Sequence, residues 1–405
     1  MKKIKILSII AFICTLFIAG CSDLNDMHQK YLDRGEKIYV GKIDSLKVNG
    51  GYYRAQIEGL MHYANTAKEC VIRWGKDSVV VSLDNFSMND TLRVIIDGLE
   101  EGNNEFYVQT YDKDGNSSLN ELCAGIVYGE QYINTLAQKF ISGLKLENDG
   151  IHISWGYAED VVAVEIEYET QTQGMVRLIE PGNVSKTILP DWKAGGKISY
   201  KNAIIPAGKA IDTLYTPAVT QYLPSEFELD KKKFKAVTLP TDVKNGYNGR
   251  VEGIWDNMFG ASGNGESQRY HSADGEGVPH HLTFDLGVKA DLTRFEIWGR
   301  VSYPNWNPKK GQIWGIDDIT NAATTLPSSD PGWRAEAESK GWKLLKEFIC
   351  TDTDFNKFDF EQDAAKGIRY IRYRVTEVWG PSGTGKYYGC LQEMTVFGNS
   401  LMNIN

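Results

Sequence analysis

Seven of the ten tryptophans in this chain fall between residues 242 and 399, at Trp255, Trp298, Trp306, Trp314, Trp333, Trp342 and Trp379. Trp298 and Trp314 stand among alternating apolar residues and read as core. Trp306 does not. It lies in Pro304-Asn305-Trp306-Asn307-Pro308, a stiff polar loop where packing alone explains a large ring poorly. Arg269, His271, Arg300, Tyr303 and the pair Tyr387-Tyr388 occupy other loop-like stretches of the same block. Rings and cationic or imidazole groups of this kind can stack on a ligand and hydrogen-bond its polar edge.

Groups that break bonds are harder to find. The chain has no Gly-x-Ser-x-Gly elbow and no His-Glu-x-x-His. A glycosidase needs two facing carboxylates, and among 53 acidic residues chance pairs are unavoidable. Gly380-Pro381-Ser382-Gly383-Thr384-Gly385-Lys386 imitates a phosphate-cradling loop, but Tyr387-Tyr388 follows where Ser or Thr and a helix are required. It reads as a Gly-rich hairpin presenting Tyr387 and Tyr388, and nucleotide is not expected as a ligand. Asp112, Asp114 and Asn116 have a D-x-D-x-N spacing without the closing Glu of a calcium loop, and read as a turn. No Cys-x-x-Cys or Cys/His cluster suggests zinc, and nothing suggests an organic cofactor.

The elements that must position these groups are short strands. Val, Ile, Tyr and Phe runs alternate with Gly, Asn and Asp, and long 3.6-period stripes are missing. Helix is expected only around Gln131–Phe140 and Asp330–Lys340. The fold class is all-β, in three blocks: 39–130, 138–230 and 242–400. In the second block Ile151-His152-Ile153-Ser154-Trp155 alternates as a half-buried strand, with His152 on the solvent face. Met175–Ile179, Lys197–Ile205 and Ala210–Tyr215 follow as further strands. Asp230-Lys231-Lys232-Lys233 and the Pro240 region read as a linker.

The chain's start sets its address. Lys2, Lys3 and Lys5 precede a short apolar run, Ile6–Phe17, and then Ile18-Ala19-Gly20-Cys21. This resembles a bacterial lipobox, which implies a signal peptide over 1–20, lipidation of Cys21 and a tether over 21–38. Ser22-Asp23-Leu24-Asn25-Asp26 resembles the acidic export tag of Bacteroidetes surface lipoproteins, and serves equally as a polar tether. Without residues 1–20 the formal charge moves from −9 to −12, with 41 Lys and Arg against 53 Asp and Glu. Nucleic acid and anionic membrane surfaces are therefore not expected as partners. Cys70, Cys123, Cys350 and Cys390 remain. An exported protein permits a disulfide, and Cys350–Cys390 pairing and free buried thiols both stand as readings.

Two resemblances organise the blocks. Ile96-Asp97-Gly98-Leu99-Glu100-Glu101-Gly102, with Phe106-Tyr107-Val108 and Tyr111–Asn116, resembles the late strands of a fibronectin type III sandwich. The second block resembles it in strand spacing. In the third block, Pro279–Gly287 (a strand ending in Asp-Leu-Gly), Leu292–Arg300, Arg369–Val375 and Leu391–Gly398 together resemble the discoidin, or coagulation-factor type C, domain. That implies two fibronectin III or immunoglobulin-like sandwiches followed by a galactose-binding-like jelly roll. The whole chain resembles Bacteroidetes outer-membrane lipoproteins associated with polysaccharide utilisation. The resemblance implies a non-catalytic protein at the outer membrane that binds polysaccharide or oligosaccharide beside glycan-uptake proteins. An adhesin or scaffold binding protein partners is the alternative. It implies sugar contacts at Trp306, Arg300 and His271 first, then Trp255, Arg269, Trp379, Tyr387 and Tyr388. It also implies one structural Ca²⁺ held by Asp256 and Glu393.

Overall fold

The computed structural model describes residues 37–259 and 269–402, with residues 29, 33 and 35 ahead of them. The lipobox and Cys21 lie outside the described residues. The chain is all-β and divides into two compact units, one running to Leu136 with Ile205–Leu214, the other comprising Ala137–Ile204 and the residues from Tyr215 onward.

In the first unit, Asp44–Gly50, Arg54–Leu60 and Thr91–Asp97 form one antiparallel sheet. Asp77–Ser82, Glu69–Trp74, Gly102–Tyr111 and Glu121–Val127 form the other, in that order. Period-2 alternation turns Ala55, Ile57, Ile72, Leu92, Phe106 and Val108 into the shared core. Leu99 is buried beneath the Asp97-Gly98 turn, where Gly98 has φ +73°. The Asp112 turn satisfies itself. One oxygen of its carboxylate accepts the Asp114 and Asn116 N–H groups at 2.9 Å, and the other accepts the Asn116 amide at 2.9 Å. The expected strand Ala210–Tyr215 shrinks to Leu214–Tyr215. Asp212 just before it takes both nitrogens of Arg54's fork and the Tyr52 N–H, which draws 205–214 into the first unit.

The second unit holds another sandwich. Met175–Pro181, Val161–Glu169, Lys197–Ile204 and Val219–Tyr222 face Lys186–Leu189, Gly150–Trp155 and Ile141–Glu147. Ile151, Ile153 and Trp155 point inward as the alternation requires, and Trp155 Nε1 donates to Thr187 at 2.9 Å. His152 stays on the outer face and pairs with Asp149 at 2.7 Å.

The rest of this unit is the third block, an eight-stranded sheet with a two-stranded ribbon, Tyr270–His271 with Cys390–Leu391. The two strands expected at 279–287 and 292–300 are one, His280–Trp298. Its first half pairs with Ile368–Val378, and its second half with Glu393–Met402 and Phe355–Asp359. The change of partner falls at Gly287, φ +67°, where a Cβ would strike the Lys233 carbonyl. Phe284, Phe295, Phe348, Val375 and Met394 fill the core, and Trp314, Trp333 and Trp342 fill a second one under the helix Trp333–Ser339. The expected linker is also part of the block. Phe227–Glu228 pairs with Phe397-Gly398, Leu229 donates to Val396 at 2.9 Å, and Lys231 and Phe234 are buried. Cys70, Cys123, Cys350 and Cys390 are buried free thiols.

Candidate functional site

Four loops of the third block meet around an open cleft of about 440 Å³. The first is a turn, Gly246-Tyr247-Asn248-Gly249, closed by Gly249 N–H donating to Gly246 O at 2.8 Å. Tyr247 and Asn248 both have positive φ, the pattern of a type I′ turn. Gly249 lets the turn approach the ribbon, since a Cβ there would lie 2.7 Å from the His271 nitrogen. The second is the ribbon strand carrying Arg269 and His271. The third is 300–307. The fourth is the hairpin 380–388, whose Ser382 hydroxyl accepts the Thr384 and Lys386 N–H groups at 3.3 and 3.0 Å.

Loop 300–307 is held by one buried amide. Asn307 Oδ1 accepts the Arg300 N–H at 2.8 Å, and Nδ2 donates to Arg300 O at 2.9 Å and Thr353 O at 2.8 Å. A 3₁₀ turn, Pro304–Trp306, sets the ring direction. Tyr303 and Trp306 stack face to face, centroids 4.5 Å apart and planes 2° from parallel. The Arg300 guanidinium lies 4.1 Å from the Tyr303 centroid and 5.7 Å from that of Trp306. Trp306 Nε1–H is buried without an acceptor among the described residues.

His271 is walled by rings: Tyr247 at 4.7 Å, Tyr388 at 5.2 Å and Trp306 at 5.5 Å. Its Nδ1 lies 2.7 Å from the Ser272 carbonyl, which only accepts, so Nδ1 carries the proton and Nε2 is an acceptor. Burial lowers its pKa, and the Arg269 and Arg300 charges add to this, against the Ser272 bond that raises it. The ring is therefore neutral at neutral pH. Tyr388 donates to Asp274, which also receives Lys386 at 3.1 Å. These bonds hold the Asp274 carboxyl below its usual range and the Tyr388 phenol above its own.

The cleft thus gathers Trp306, Arg300, His271, Arg269 and Tyr388, together with Tyr303, Lys386 and Tyr247. Three expected contacts lie elsewhere. Trp255 is in the core, 5.3 Å from Phe284 and 5.9 Å from Phe234, because the turn Val251–Ile254 buries itself and carries the ring inward. Trp379 packs against the same core, with Lys309 5.7 Å from its centroid. Tyr387 is exposed on the outside of the hairpin while its neighbour Tyr388 faces in. Sequence reading missed Tyr247 and the holding role of Asn307. Asn245-Gly246-Tyr247-Asn248-Gly249, an aromatic inside a Gly/Asn turn, was the available signal for Tyr247. After the Gly-rich hairpin comes the strand Cys390–Leu391 rather than a helix, so no helix N-terminus faces a phosphate there.

Asp256 and Glu393 do not fit a calcium ion. Ca²⁺ takes 6–8 oxygens at about 2.3–2.6 Å. Glu393 is fully buried, and the Lys231 ammonium sits 2.7 Å from its Oε1. Its other oxygen accepts the Asn257 N–H at 3.1 Å. Asp256 Oδ1 accepts the Met258 N–H at 3.0 Å, and its Oδ2 lies 3.5 Å from Arg250, buried without a hydrogen-bond partner among the described residues. Among the described residues no group of three His, Cys, Asp or Glu is placed to hold a metal.

Residues 21–214 match the family DUF4998 and residues 255–398 the family DUF5000, each described as a domain of unknown function. No curated protein matches the chain. Solved structures it is similar to include a SusE-like protein, 16% identical, covering 90% of this chain and 99% of that one, TM-score 0.34. The family 32 carbohydrate-binding module of Clostridium perfringens NanJ, in complex with galactose, is 15% identical over 42% of this chain and 98% of its own, TM-score 0.29. The C-terminal domain of a Bacteroides fragilis chitobiase is 20% identical over 44% and 100%, TM-score 0.30. The sandwich fold rests on the sheets described above.

Proposed function

We propose that this chain is a non-catalytic glycan-binding lipoprotein, anchored through Cys21 at the outer membrane, whose third block captures oligosaccharide for neighbouring uptake proteins. The observation that carries the reading is the cleft's combination of one parallel ring pair with groups for hydroxyls. The Tyr303–Trp306 stack offers a flat apolar wall to the C–H face of a pyranose. Arg300 donates, neutral His271 accepts at Nε2, and Trp306 Nε1–H has an acceptor to gain. Such a site stacks and orients a sugar. A glycosidase needs a carboxylate pair flanking the bond, and the described lining residues supply none.

The test is affinity electrophoresis of residues 22–405 through gels carrying plant, fungal and host polysaccharides, with thermal melting alongside. Trp306→Ala and Arg300→Ala are each expected to abolish retardation while the chain stays folded. Unchanged retardation in both overturns the site. Absence of retardation on every polysaccharide overturns the glycan reading in favour of a protein partner. Cys21→Ala is expected to release the protein from the membrane fraction, and retention there refutes the anchor.

A further inference from the structure

Glu393, Thr395 and Asn257 form a closed cation site whose cation, Lys231, is part of the chain. Lys231 is the second residue after the sheet-edge segment Phe227–Leu229, and its side chain is 5% exposed. An ammonium has three donors. Here they find three acceptors, Glu393 Oε1 at 2.7 Å, Thr395 Oγ1 at 2.8 Å and Asn257 Oδ1 at 3.0 Å. A fourth oxygen, from exposed Glu228, lies 3.6 Å away, and the Phe259 ring centroid lies 5.6 Å away. The acceptors come from two places far apart in sequence, the strand Glu393–Met402 and the loop following the turn Val251–Ile254. Asn257 has φ +62° and gives both its side-chain oxygen and its backbone N–H to this cluster. The structural Ca²⁺ that the discoidin resemblance implies would join loop to strand through oxygen ligands, and here an ammonium does it.

We propose that Lys231 permanently replaces a divalent cation in the third block, so that the block is complete without metal and indifferent to chelators. The ammonium is compact and single-valent, so one buried carboxylate suffices to match it. The second carboxylate expected as a ligand, Asp256, has a half-exposed Arg250 guanidinium 3.5 Å from its Oδ2, which makes no hydrogen bond among the described residues. One lysine–carboxylate pair, with an arginine near the second carboxylate, thus stands where two carboxylates would share one Ca²⁺. This does not depend on what the cleft binds. It concerns what holds the loop behind Trp255, and it survives if glycan binding fails.

The experiment is equilibrium dialysis of residues 22–405 against radioactive calcium at about 1 mM, a level that fills extracellular calcium modules, with melting in calcium and in EDTA. Wild type is expected to take up no calcium and to show one Tm in both buffers. Lys231→Ala empties the ammonium position beside Glu393, Thr395 and Asn257. That variant is expected to melt lower in EDTA, to bind one calcium per chain, and to regain roughly 5 °C when calcium is added. Stoichiometric calcium uptake by wild type that Glu393→Gln removes overturns the proposal. So does a folded Lys231→Ala that takes up none. Where Lys231→Ala unfolds in EDTA, folding in calcium supports the proposal. If it unfolds in both, the wild-type dialysis decides.

Discussion

Asn307 offers the sharpest test of how the cleft is built. It is 1% exposed and makes three hydrogen bonds, to Arg300 N, Arg300 O and Thr353 O. All three partners are backbone groups, so removing the amide leaves them orphaned rather than repaired. A typical net loss is about 1 kcal/mol per bond, and about 1–3 kcal/mol for each partner left buried and unpaired. Asn307→Ala therefore removes on the order of 3 kcal/mol from loop 300–307. The loss is local, because the loop can swing toward water and rehydrate those groups. The bond from Gly380 N–H to Asn305 O at 2.8 Å still holds part of it. Arg300 and Trp306 sit at the two ends of this loop, so a displaced loop weakens glycan binding by roughly tenfold to a hundredfold, the factor that about 1.4–2.8 kcal/mol sets. Asn307→Asp separates bonding from space-filling. It keeps the volume and the acceptor, but sets a carboxylate oxygen against the Arg300 and Thr353 carbonyls where Nδ2 donated. It is expected to bind no better than Asn307→Ala. Calorimetric titration of both variants with a glycan that retards wild type, beside their melting curves, checks this. Wild-type affinity in Asn307→Asp refutes the claim that the amide positions the cleft.

Two further outcomes follow from buried groups. A chain cut to begin at residue 242 loses Leu229, Phe234 and Lys231 from the third block. It strands Glu393, which costs about 3–5 kcal/mol, and forfeits two buried side chains at about 1.5–3 kcal/mol each. It is expected to be unfolded by circular dichroism and hydrogen exchange, and a native-like melt refutes the block's dependence on that segment. His280 is buried and donates to the Gly277 carbonyl, and burial lowers its pKa to about 4 from 6.5. As pH falls below 6.5 the unfolded chain binds a proton the folded chain refuses, so stability declines toward pH 4 by about 3 kcal/mol. In urea unfolding at pH 7 and pH 4.5, His280→Gln should lose less stability on acidification than wild type. Equal losses refute the assignment.

What was legible in the sequence followed short-range patterns. Ile151, Ile153 and Trp155 alternate and point inward, and Leu99 sits under its turn because Asp97-Gly98 dictates one. The cleft was half legible: Trp306 betrayed itself by standing in a polar loop between prolines, and His271 and Arg300 by lying in the same block. The misreadings concern groups whose partners are distant. Lys231-Lys232-Lys233 looks like solvated linker, and only Glu393, 162 positions away, makes burial of one of them affordable. Asp212 meets Arg54 across 158 positions, which takes its segment out of the sheet it was expected to extend. Asp285-Leu286-Gly287 reads as a strand's end, since positive φ at Gly287 is compatible with a turn or a bend. The choice is made by the strands that pair on either side. Trp255 and Tyr247 mark the same limit from opposite sides. Both are aromatics beside turns, and whether the ring goes to the core or the cleft depends on which way a few loop dihedrals carry it.

The cleft's shape bears on why a lipid anchor would matter. On the proposed reading, about 440 Å³ of open space admits little more than one or two sugar rings. One aromatic wall and a few hydroxyl bonds, each worth about 1 kcal/mol net, must offset the lost freedom of the ligand. Such a sum corresponds to a weak single contact, nearer a millimolar than a nanomolar Kd. The Tyr303–Trp306 stack and the Asn307 bonds hold the wall through the chain's own contacts, so little binding energy goes to ordering the site. A weak, preformed site is inefficient on a free protein meeting a free sugar. On many copies tethered to one surface, facing a polymer with many repeats, each further contact is intramolecular, and retention rises by orders of magnitude without any new interaction. On that reading the shallow cleft and a surface tether belong to one physical solution, and affinity for a long polysaccharide should exceed that for its repeat unit only while the protein is anchored or clustered.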